Sequence, residues 1–529
     1  MKKHYLILIL ILVLGLLLRT INLSNTPNGL TWDEAALGYN AYSIFKTGRD
    51  EHGTLLPIIF KSFGDYKPGL YVYLTVPFVA IFGLSEASVR LPSALMGTFL
   101  IYVIYLLTNK IYTKNKNIGL FSAFVMAVMP WAVHFSRGAW EVNVFVSILA
   151  LAILYYLKFI KGESSIFPAL VLASLTLILY QAAKLLTPLL FLVTFFIYYR
   201  QSTSRLITFF KSKQKKYLIF FLIFGIWLIY TTLFSNAGNR LATLSIFGYK
   251  PELANTYYDN QVLLKFKLIM SRYFYHFSPE VLFYEGARIV ERAHIPGTGL
   301  LNPIELLPIL FGLYFISKKF SKKSRYLLFS LLILSPIPAS LTLAEYSPLR
   351  ALFMIVPLSI ISGCGLYFLW SQKKKIFFTI IAFYLLFGVY VFDLYFAHSR
   401  STFAFEFNDG HKQAVQIIKD HPTSKVIFTD VYGQPYIYYL FYTNYDPRLY
   451  QSKNDFQSGG LDVGRVGHVG NVEFHQFGKS ELSLFHDTLF IGTEGNINRD
   501  FDIASDSISY FKQIETSDNK IIFRSVITK

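Results

Sequence analysis

The hydrophobic residues of this chain fall into long runs, without the regular polar interruptions that mark a half-buried strand or a surface helix. A helix of roughly 20 mostly apolar residues crosses the hydrocarbon core of a bilayer. Several runs are shorter than this, but their Tyr, Trp and Lys flanks suit the membrane interface. The runs predicted to span are Tyr5–Leu18, Leu91–Leu107, Ile118–Val133, Val142–Leu157, Phe167–Tyr180, Leu186–Tyr198, Tyr217–Leu233, Leu300–Ile316, Tyr326–Leu343, Ala351–Trp370 and Ile376–Phe396. The pattern therefore predicts a polytopic α-helical membrane protein with about 11 transmembrane helices.

The first run resembles a signal peptide, because two lysines precede an apolar stretch. No small-x-small cleavage site follows it, and Arg19 comes directly after the run. An uncleaved first transmembrane helix is therefore the interpretation that the residues favour.

The charge distribution indicates the orientation of these helices. The formal net charge of +18 could suggest a nucleic-acid partner, but six alternate loops hold 21 of the Lys and Arg residues and one acid, Glu163. The rest of the chain holds 29 bases and 31 acids and is nearly neutral. These basic loops are Met1–His4, Asn109–Asn117, Lys158–Ser165, Arg200–Lys216, Ser317–Arg325 and Ser371–Lys375. The positive-inside rule then predicts a multi-pass protein of the plasma (inner) membrane with a cytoplasmic N-terminus, and no nucleic-acid partner.

One further apolar stretch, Gly69–Leu84, tests this topology. If it crossed the membrane, 19 of the 21 loop bases would face outward. Pro77 lies in its middle and Lys67 stands just before it. We therefore expect an interfacial or re-entrant helix here.

The long polar segments all fall on the predicted outer side. They are the first outer loop (20–90), a late outer loop (234–299) and the tail after the last run. The tail alternates helix-like and strand-like stretches, which predicts a small extracytoplasmic α/β domain at 397–529. These stretches are Lys412–Lys419, Lys425–Thr429, Tyr436–Tyr442, Thr488–Gly492 and Lys520–Ile527, with a glycine-rich loop at Ser458–Asn471. Residues 1–396, with both outer loops, form the predicted transmembrane domain.

The first outer loop carries the candidate chemistry. Its motif Thr31-Trp32-Asp33-Glu34 places two acids a short distance beyond the first helix. A carboxylate held near a hydroxyl can accept its proton as the hydroxyl attacks a sugar carbon, which is general base catalysis. Asp33 is equally suited to capping the helix that follows it. The residues alone leave both roles open.

This loop resembles the first external loop of the C-type (GT-C) glycosyltransferases, most closely the protein O-mannosyltransferases and lipid A aminoarabinose transferases. In those families the Asp of an Asp-Glu pair is taken as the catalytic base, and the match falls on Asp33 and Glu34. Their Lys-Pro turn, which meets the carrier phosphate, resembles Tyr66-Lys67-Pro68. The aminoarabinose enzymes have an acid associated with metal binding just before that Lys. Tyr66 stands there in this chain, so no cofactor is certain and a divalent metal stays open.

Further matches occur in order along residues 1–400 and more weakly through the tail. They imply a second group of residues that bind the phosphate or the substrate, namely Arg90, Arg137, Glu141, Lys184, His294 and Arg350. Several of the predicted residues could instead have a purely structural role. Lys67 could snorkel to the interface, Arg90 and Arg350 could cap helix ends, Glu141 could only pair with Arg137, and His294 could be a hydrogen-bonded structural residue.

The predicted topology places all these residues near the outer leaflet, where ionisable groups are costly and usually functional. Lys and Arg there can hold a lipid phosphate and stabilise the charge that develops on it as leaving group. The resemblance thus implies an inverting glycosyltransferase that moves a hexose or pentose from a polyprenyl-phosphate carrier to a hydroxyl of a lipid, protein or glycan acceptor. A transporter or flippase for a lipid-linked saccharide is the alternative, although the chain has no internal repeat. A non-catalytic surface protein that binds through its tail is the third hypothesis.

Overall fold

The computed structural model describes residues 2–211, 221–226, 228, 230, 245–248, 261–286, 291–398, 403–453, 455–457, 464–498, 508–517 and 519–529. The predicted helix Tyr217–Leu233 is described only at 221–226, 228 and 230, which are helical, and parts of the late outer loop lie outside the described residues. The helices before the tail are α1 (Lys2–Thr20), α2 (Trp32–Thr47), α3 (Leu70–Phe82), α4 (Glu86–Ile111), α5 (Asn117–Val128), α6 (Pro130–Phe135), α7 (Glu141–Ile160), α8 (Phe167–Leu177), α9 (Ala183–Ile197), α10 (Tyr199–Lys211), α11 (Gln261–Tyr275), α12 (Leu306–Lys319), α13 (Lys322–Leu334), α14 (Ile337–Ser340), α15 (Ile355–Gln372) and α16 (Lys374–Asp393).

Ten of the eleven predicted runs fall on these helices. Five described helices are long and apolar enough to cross a membrane, and α9 with α10, bent by 104° between them, would make a sixth. The long five are Lys3–Thr20, Glu86–Ile111, Glu141–Ile160, Leu352–Gln372 and Lys374–His398. Two other runs are broken before Pro130 and at Pro336, because proline has no amide hydrogen to continue a helix. The polytopic helical prediction is confirmed, while the number of spans stays a prediction.

The stretch Gly69–Leu84 forms α3, which has only 13 residues and contains Pro77. It is therefore too short to cross a bilayer as a straight helix. Before the tail, α10, which carries Arg and Lys among its apolar residues, and α11, which lies in the late outer loop, were not predicted. Neither has the continuous apolar run on which the prediction relied.

The chain folds into two compact units whose boundaries differ from the predicted ones. The helical unit comprises Met1–Ile21 and Ser93–Leu394, and the mixed unit comprises Asn22–Pro92 and Tyr395–Lys529. The prediction assigned the first outer loop to the transmembrane domain, whereas the structure places its residues in one unit with the tail. The reason is that α2 packs along α3 and along a helix of the tail, α18 (Pro435–Thr443).

Glycines allow close helix packing in the helical unit. A methyl group at Gly365 of α15 would overlap the carbonyl group of Pro308 in α12, and one at Gly312 would overlap that of Ile361. Between membrane helices, such small residues let backbones approach and gain van der Waals contact. The α12–α15 pair is therefore fixed by backbone proximity and tolerates no larger residue at these glycines.

The tail is an α/β domain, as predicted. Its helices are α17 (His411–Asp420), α18, α19 (Pro447–Ser452) and α20 (Lys479–Leu484). Its strands are β3 (Lys425–Phe428), β4 (Phe456–Gln457), β5 (Arg465–Val466), β6 (His468–Val469), β7 (Val472–Phe474), β8 (Thr488–Gly492), β9 (Ile508–Glu515) and β10 (Ile521–Thr528); the first outer loop adds β1 (Ile59–Ser62) and β2 (Asp65–Pro68).

Six of these strands form one sheet in the order β6-β7-β3-β8-β10-β9. Strand β3 runs parallel to both β7 and β8, while β10 runs antiparallel to β8 and β9. Strands β1 and β2 form one hairpin, and β4 and β5 form another antiparallel pair. The loop that follows a parallel strand emerges at its carboxyl edge, where α/β domains commonly bind ligands.

Candidate active site

Asp33 and Lys67 form an ion pair in the mixed unit. Helix α2 begins at Trp32, so Asp33 lies in its first turn, and Lys67 lies on β2. The Lys67 Nζ atom is 2.5 Å from Asp33 Oδ1 and 5.3 Å from the centre of the Phe63 ring. The Asp33 side chain is 39% exposed, so the pair borders solvent. The structure thus brings together the predicted base and the predicted phosphate-binding cation.

The β1–β2 turn positions Lys67 for this contact. Phe63 and Gly64 occupy the two turn positions, and both have positive φ values, 52° and 83°. This backbone matches the twist of an antiparallel hairpin, which explains why glycine follows Phe63. In the resulting register Phe60 pairs with Lys67.

Glu34 and Arg90, by contrast, form a fully buried pair. Arg90 Nε and Nη2 donate to the two carboxylate oxygens of Glu34 at 2.9 and 3.2 Å. The remaining guanidinium N–H groups donate hydrogen bonds to the carbonyl oxygens of Leu23, Pro27 and Gly29 at 2.6–3.1 Å. All five N–H donors of Arg90 therefore have acceptors within the protein.

Glu34 also closes a capping box at the start of α2. Its Oε2 atom accepts from the Thr31 amide at 3.0 Å, while the Thr31 hydroxyl accepts from the Glu34 amide at 3.2 Å. The side chains of Glu34 and Arg90 are 1% and 0% exposed. This geometry favours a structural role for both residues, while a catalytic role of Glu34 and a phosphate contact of Arg90 stay predictions.

In the helical unit, the Arg137 side chain hydrogen-bonds to the end of a helix. It is fully buried, and its Nη1 and Nη2 atoms donate to the carbonyl oxygens of Leu18 and Ile21 at 2.9 and 2.6 Å. These carbonyls belong to the C-terminal end of α1, where a cation is favourable. The geometry favours a structural role for Arg137, and its phosphate contact stays a prediction.

Arg19 is a second fully buried arginine at a helix end, and it is not among the site residues predicted from the sequence. Its guanidinium bonds the Ser136 hydroxyl at 3.1 Å and the carbonyl oxygens of Met126 and Ala127, near the end of α5, at 3.0 Å. A single arginine at the end of an otherwise apolar run is the signal that could have identified it. A buried arginine there must find acceptors, and helix C-termini supply them.

The other predicted residues of the helical unit are only partly brought together. His294 is 7% exposed and lies, with Arg137, within electrostatic range of His134. Glu141 is the first residue of α7, and Lys184 is the second residue of α9. The Arg350 side chain contacts the Ser347 hydroxyl at 3.4 Å. Within the described residues, no hydrogen bond or ion pair joins Lys184 or Arg350 to another predicted site residue.

Glu51 is a buried acid that is not among the site residues predicted from the sequence. Its Oε1 atom accepts from Asn40 Nδ2 at 3.1 Å, and its amide donates to Asn40 Oδ1 at 3.0 Å. Burial raises the pKa of Glu51 to about 8, opposed in part by the Asn40 hydrogen bond and by the charge of Lys67. A carboxyl group that is mostly protonated at neutral pH therefore lies within electrostatic range of Lys67.

We expect Glu51→Gln to stabilise the protein in a pH-dependent way. Below about pH 4.5 Glu51 is protonated in both the folded and the unfolded chain, so the substitution changes little. Between that pH and about 8 the unfolded chain releases a proton that the folded chain keeps, which costs stability as the pH rises. The melting temperature of Glu51→Gln should therefore exceed that of the parent at alkaline pH and match it near pH 4.5. An equal difference at both pH values would contradict this; the exposed-pair variant Glu473→Gln is the control.

A metal site does not follow from the residues around Asp33. Tyr66 stands where the aminoarabinose enzymes have their acid, and a phenol is a weaker ligand for a divalent cation than a carboxylate. Among the residues that the structure describes, no group of three His, Cys, Asp or Glu side chains is placed to hold a metal ion. The residues present do not fit a metal, and we derive no step through one.

Comparison with known proteins finds one matching family model and several solved structures with a similar fold. Residues 66–230 match the model of the Dolichyl-phosphate-mannose-protein mannosyltransferase family, which is less than half of the chain. No curated protein matches the chain in sequence. The family match falls on the segment that begins at Tyr66 and includes Lys67, Arg90 and Arg137.

Solved structures of ArnT from Cupriavidus metallidurans are similar over nearly the whole chain. The apo structure has a TM-score of 0.54 at 11% identity and covers 100% of this chain and 98% of that one. The structure bound to undecaprenyl phosphate has a TM-score of 0.53 at 11% identity, covering 98% and 97%.

The apo oligosaccharyltransferase of Archaeoglobus fulgidus has a TM-score of 0.46 at 12% identity, with 83% of this chain covered. The chain spans only 63% of the length of that protein. The ArnT comparison therefore supports the fold, and the resemblance predicted from the sequence is confirmed: the chain is a polytopic membrane protein of the GT-C glycosyltransferase fold.

Proposed function

We propose that the protein is an inverting glycosyltransferase that uses a polyprenyl-phosphate sugar as its donor. The observation that carries this proposal is the ion pair between Asp33 and Lys67. It places a carboxylate that can accept a proton beside a cation that can hold a phosphate. The family match, to a model named for dolichyl-phosphate-mannose, and the likeness to an ArnT structure with undecaprenyl phosphate support the same donor class.

The pair explains how donor binding can activate the base. Without a donor, the Lys67 ammonium neutralises the Asp33 carboxylate at 2.5 Å. A phosphate diester bound to Lys67 competes for the same ammonium hydrogens. Asp33 then loses its counter-charge, and its carboxylate oxygen can accept a hydrogen bond and then the proton from the acceptor hydroxyl. The carboxylate is thus a better proton acceptor when the donor is in place.

The chemical step then divides between the two residues. The acceptor hydroxyl gives its proton to Asp33 as its oxygen bonds the anomeric carbon. The bond from that carbon to the phosphate oxygen breaks, and Lys67 stabilises the negative charge that the lipid phosphate gains. Since attack comes opposite the leaving phosphate, the configuration at the anomeric carbon inverts.

We also propose an orientation for this reaction. The basic loops of the chain alternate with loops of balanced charge, which favours a cytoplasmic N-terminus in the plasma (inner) membrane. Asp33, Lys67 and the tail then face the extracytoplasmic side. The polyprenyl chain of the donor lies in the bilayer, and the acceptor comes from the cell envelope.

Product analysis tests this function. Purified protein in lipid nanodiscs is incubated with undecaprenyl-phosphate mannose, glucose and arabinofuranose and with an envelope fraction as the source of acceptor. We expect release of undecaprenyl phosphate with at least one donor, and a product whose anomeric configuration by NMR is opposite to that of the donor. Retained configuration would contradict the proposed single displacement. Movement of the lipid-linked sugar across the bilayer without cleavage would support the flippase instead.

A further inference from the structure

The tail supplies a second charged pair, carried on segments that contact Trp32 and Phe63 beside Asp33 and Lys67. It consists of Asp430, just after β3, and Arg465, on β5. Arg465 Nη1 is 3.0 Å from Asp430 Oδ2. Two separate routes, each a series of residue contacts, connect the Asp430–Arg465 pair to the Asp33–Lys67 pair. One reaches the Lys67 side and the other reaches the Asp33 side.

The first route passes through the hairpin turn below Lys67. The amide of Gly464 donates to the carbonyl oxygen of Phe63 at 2.9 Å, and Phe63 is the residue whose ring lies under the Lys67 ammonium. Arg465 follows Gly464 directly. Strand β4, which pairs with β5, contacts the same hairpin. The Nζ atom of Lys61 on β1 is 4.2 Å from the centre of the Phe456 ring on β4.

The second route passes through the aromatic residue next to Asp33. A methyl group placed on Gly433 would lie 3.1 Å from the Trp32 ring, so the loop after β3 touches that ring directly. Asp430 lies three residues earlier in this loop, at the carboxyl edge of a parallel strand. Trp32 itself is only partly buried. The two routes place Asp430 and Arg465 on the rim of the site whose other side is Asp33 and Lys67.

The Asp430 carboxylate has an unused hydrogen-bonding capacity. Its side chain is 6% exposed, while that of Arg465 is 65% exposed. Within the described part of the chain, Asp430 Oδ1 is shielded from solvent and accepts no hydrogen bond. A buried acceptor without a donor is unfavourable and needs an explanation such as a bound hydroxyl or water.

We propose that Asp430, Arg465 and Trp32 form the acceptor subsite of the proposed transferase, and that it takes a carbohydrate acceptor. A sugar ring presents neighbouring hydroxyls, each both donor and acceptor, and an Asp–Arg pair offers a matching acceptor and donors side by side. The Trp32 ring supplies an apolar face beside them, as aromatic side chains do in small-molecule sites. This inference rests on the proposed function for its position next to Asp33, but its binding chemistry stands on the rim residues.

Saturation-transfer difference NMR with the full-length protein in nanodiscs detects ligand binding, so it tests this inference without requiring glycosyl transfer. The probes are methyl glycosides of glucose, galactose, mannose and N-acetylglucosamine, and a short serine-containing peptide. We expect at least one glycoside to bind and the peptide not to bind. Asp430→Asn and Arg465→Gln should each weaken that glycoside by about tenfold or more, because each removes a hydrogen bond to a charged group. Glu473→Gln, which alters an exposed ion pair of the same domain, should leave it unchanged.

Absence of glycoside binding, equal binding by Asp430→Asn, or binding of the peptide in place of the glycosides would overturn the proposal. A loss in Asp430→Asn accompanied by a lower melting temperature is checked with Arg465→Gln, whose exposed side chain can be changed without disturbing the core. If a glycoside binds through Asp430 but no donor is cleaved, the proposed function fails alone. If a donor is cleaved and no glycoside binds, this inference fails alone.

Discussion

Asp33→Asn should reduce glycosyl transfer by about 10²- to 10⁴-fold while the protein stays folded and inserted. The amide has nearly the same shape as the carboxylate and still accepts a hydrogen bond from Lys67, so the hairpin contact at 2.5 Å can persist in weaker form. It cannot accept a proton from the acceptor hydroxyl. The measurement is the release of undecaprenyl phosphate from the active donor, with the melting temperature recorded beside it.

The control for this prediction is Asp420→Asn, an exposed acid at the end of α17 whose carboxylate accepts from Gln416. It should retain full activity. Full activity in Asp33→Asn would remove Asp33 from the mechanism. Activity lost together with a large fall in melting temperature would show instead that Asp33 acts mainly as a structural residue of the first turn of α2.

Arg90→Ala should lower the free energy of unfolding by about 3–5 kcal/mol, the largest effect on stability that we expect. The substitution leaves the Glu34 carboxylate buried without its cation, and it leaves the carbonyl oxygens of Leu23, Pro27 and Gly29 without their donors. Thermal unfolding followed by fluorescence measures the change. A second substitution, Glu34→Gln, should restore part of the lost stability because it removes the uncompensated charge.

The matched control is Lys412→Ala. Lys412 pairs with Glu86 at 2.8 Å, but its side chain is 61% exposed. An ion pair with an exposed partner contributes about 0–1 kcal/mol. A melting temperature of Arg90→Ala equal to that of Lys412→Ala would refute the assignment of Arg90 as a structural residue.

The membrane helices could be predicted because their signal is local. An apolar run identifies a spanning helix without knowledge of its neighbours, and ten of eleven runs fall on helices of the structure. The tail was predicted from the same kind of signal: Lys412–Lys419 lies in α17 and Thr488–Gly492 is β8. Strands β6 and β7, which have two and three residues, carry too few positions for a pattern.

The assembly of the site depends on contacts that a single sequence does not display. Asp33 and Glu34 are adjacent, and only the geometry of the capping box shows that Glu34 turns inward to Arg90 while Asp33 stays at the surface. The neighbourhood of Asp33 and Lys67 came from the family resemblance, since 33 residues separate them and no periodicity joins them. The packing of the first outer loop with the tail, and hence Asp430, could not be predicted because it is a long-range contact between two polar segments.

The affinity of the protein for undecaprenyl phosphate tests the central claim most directly, because substitutions of the two members of the pair should affect this affinity differently. Lys67→Gln should weaken binding by about tenfold or more, since it removes the cation proposed to hold the phosphate. Asp33→Asn should bind as well as the parent or more tightly, because the carboxylate no longer competes for Lys67. Lys46→Gln, an exposed cation in the last turn of α2, should bind like the parent. Unchanged binding in Lys67→Gln, or equal weakening in both variants, would contradict the proposed division of roles.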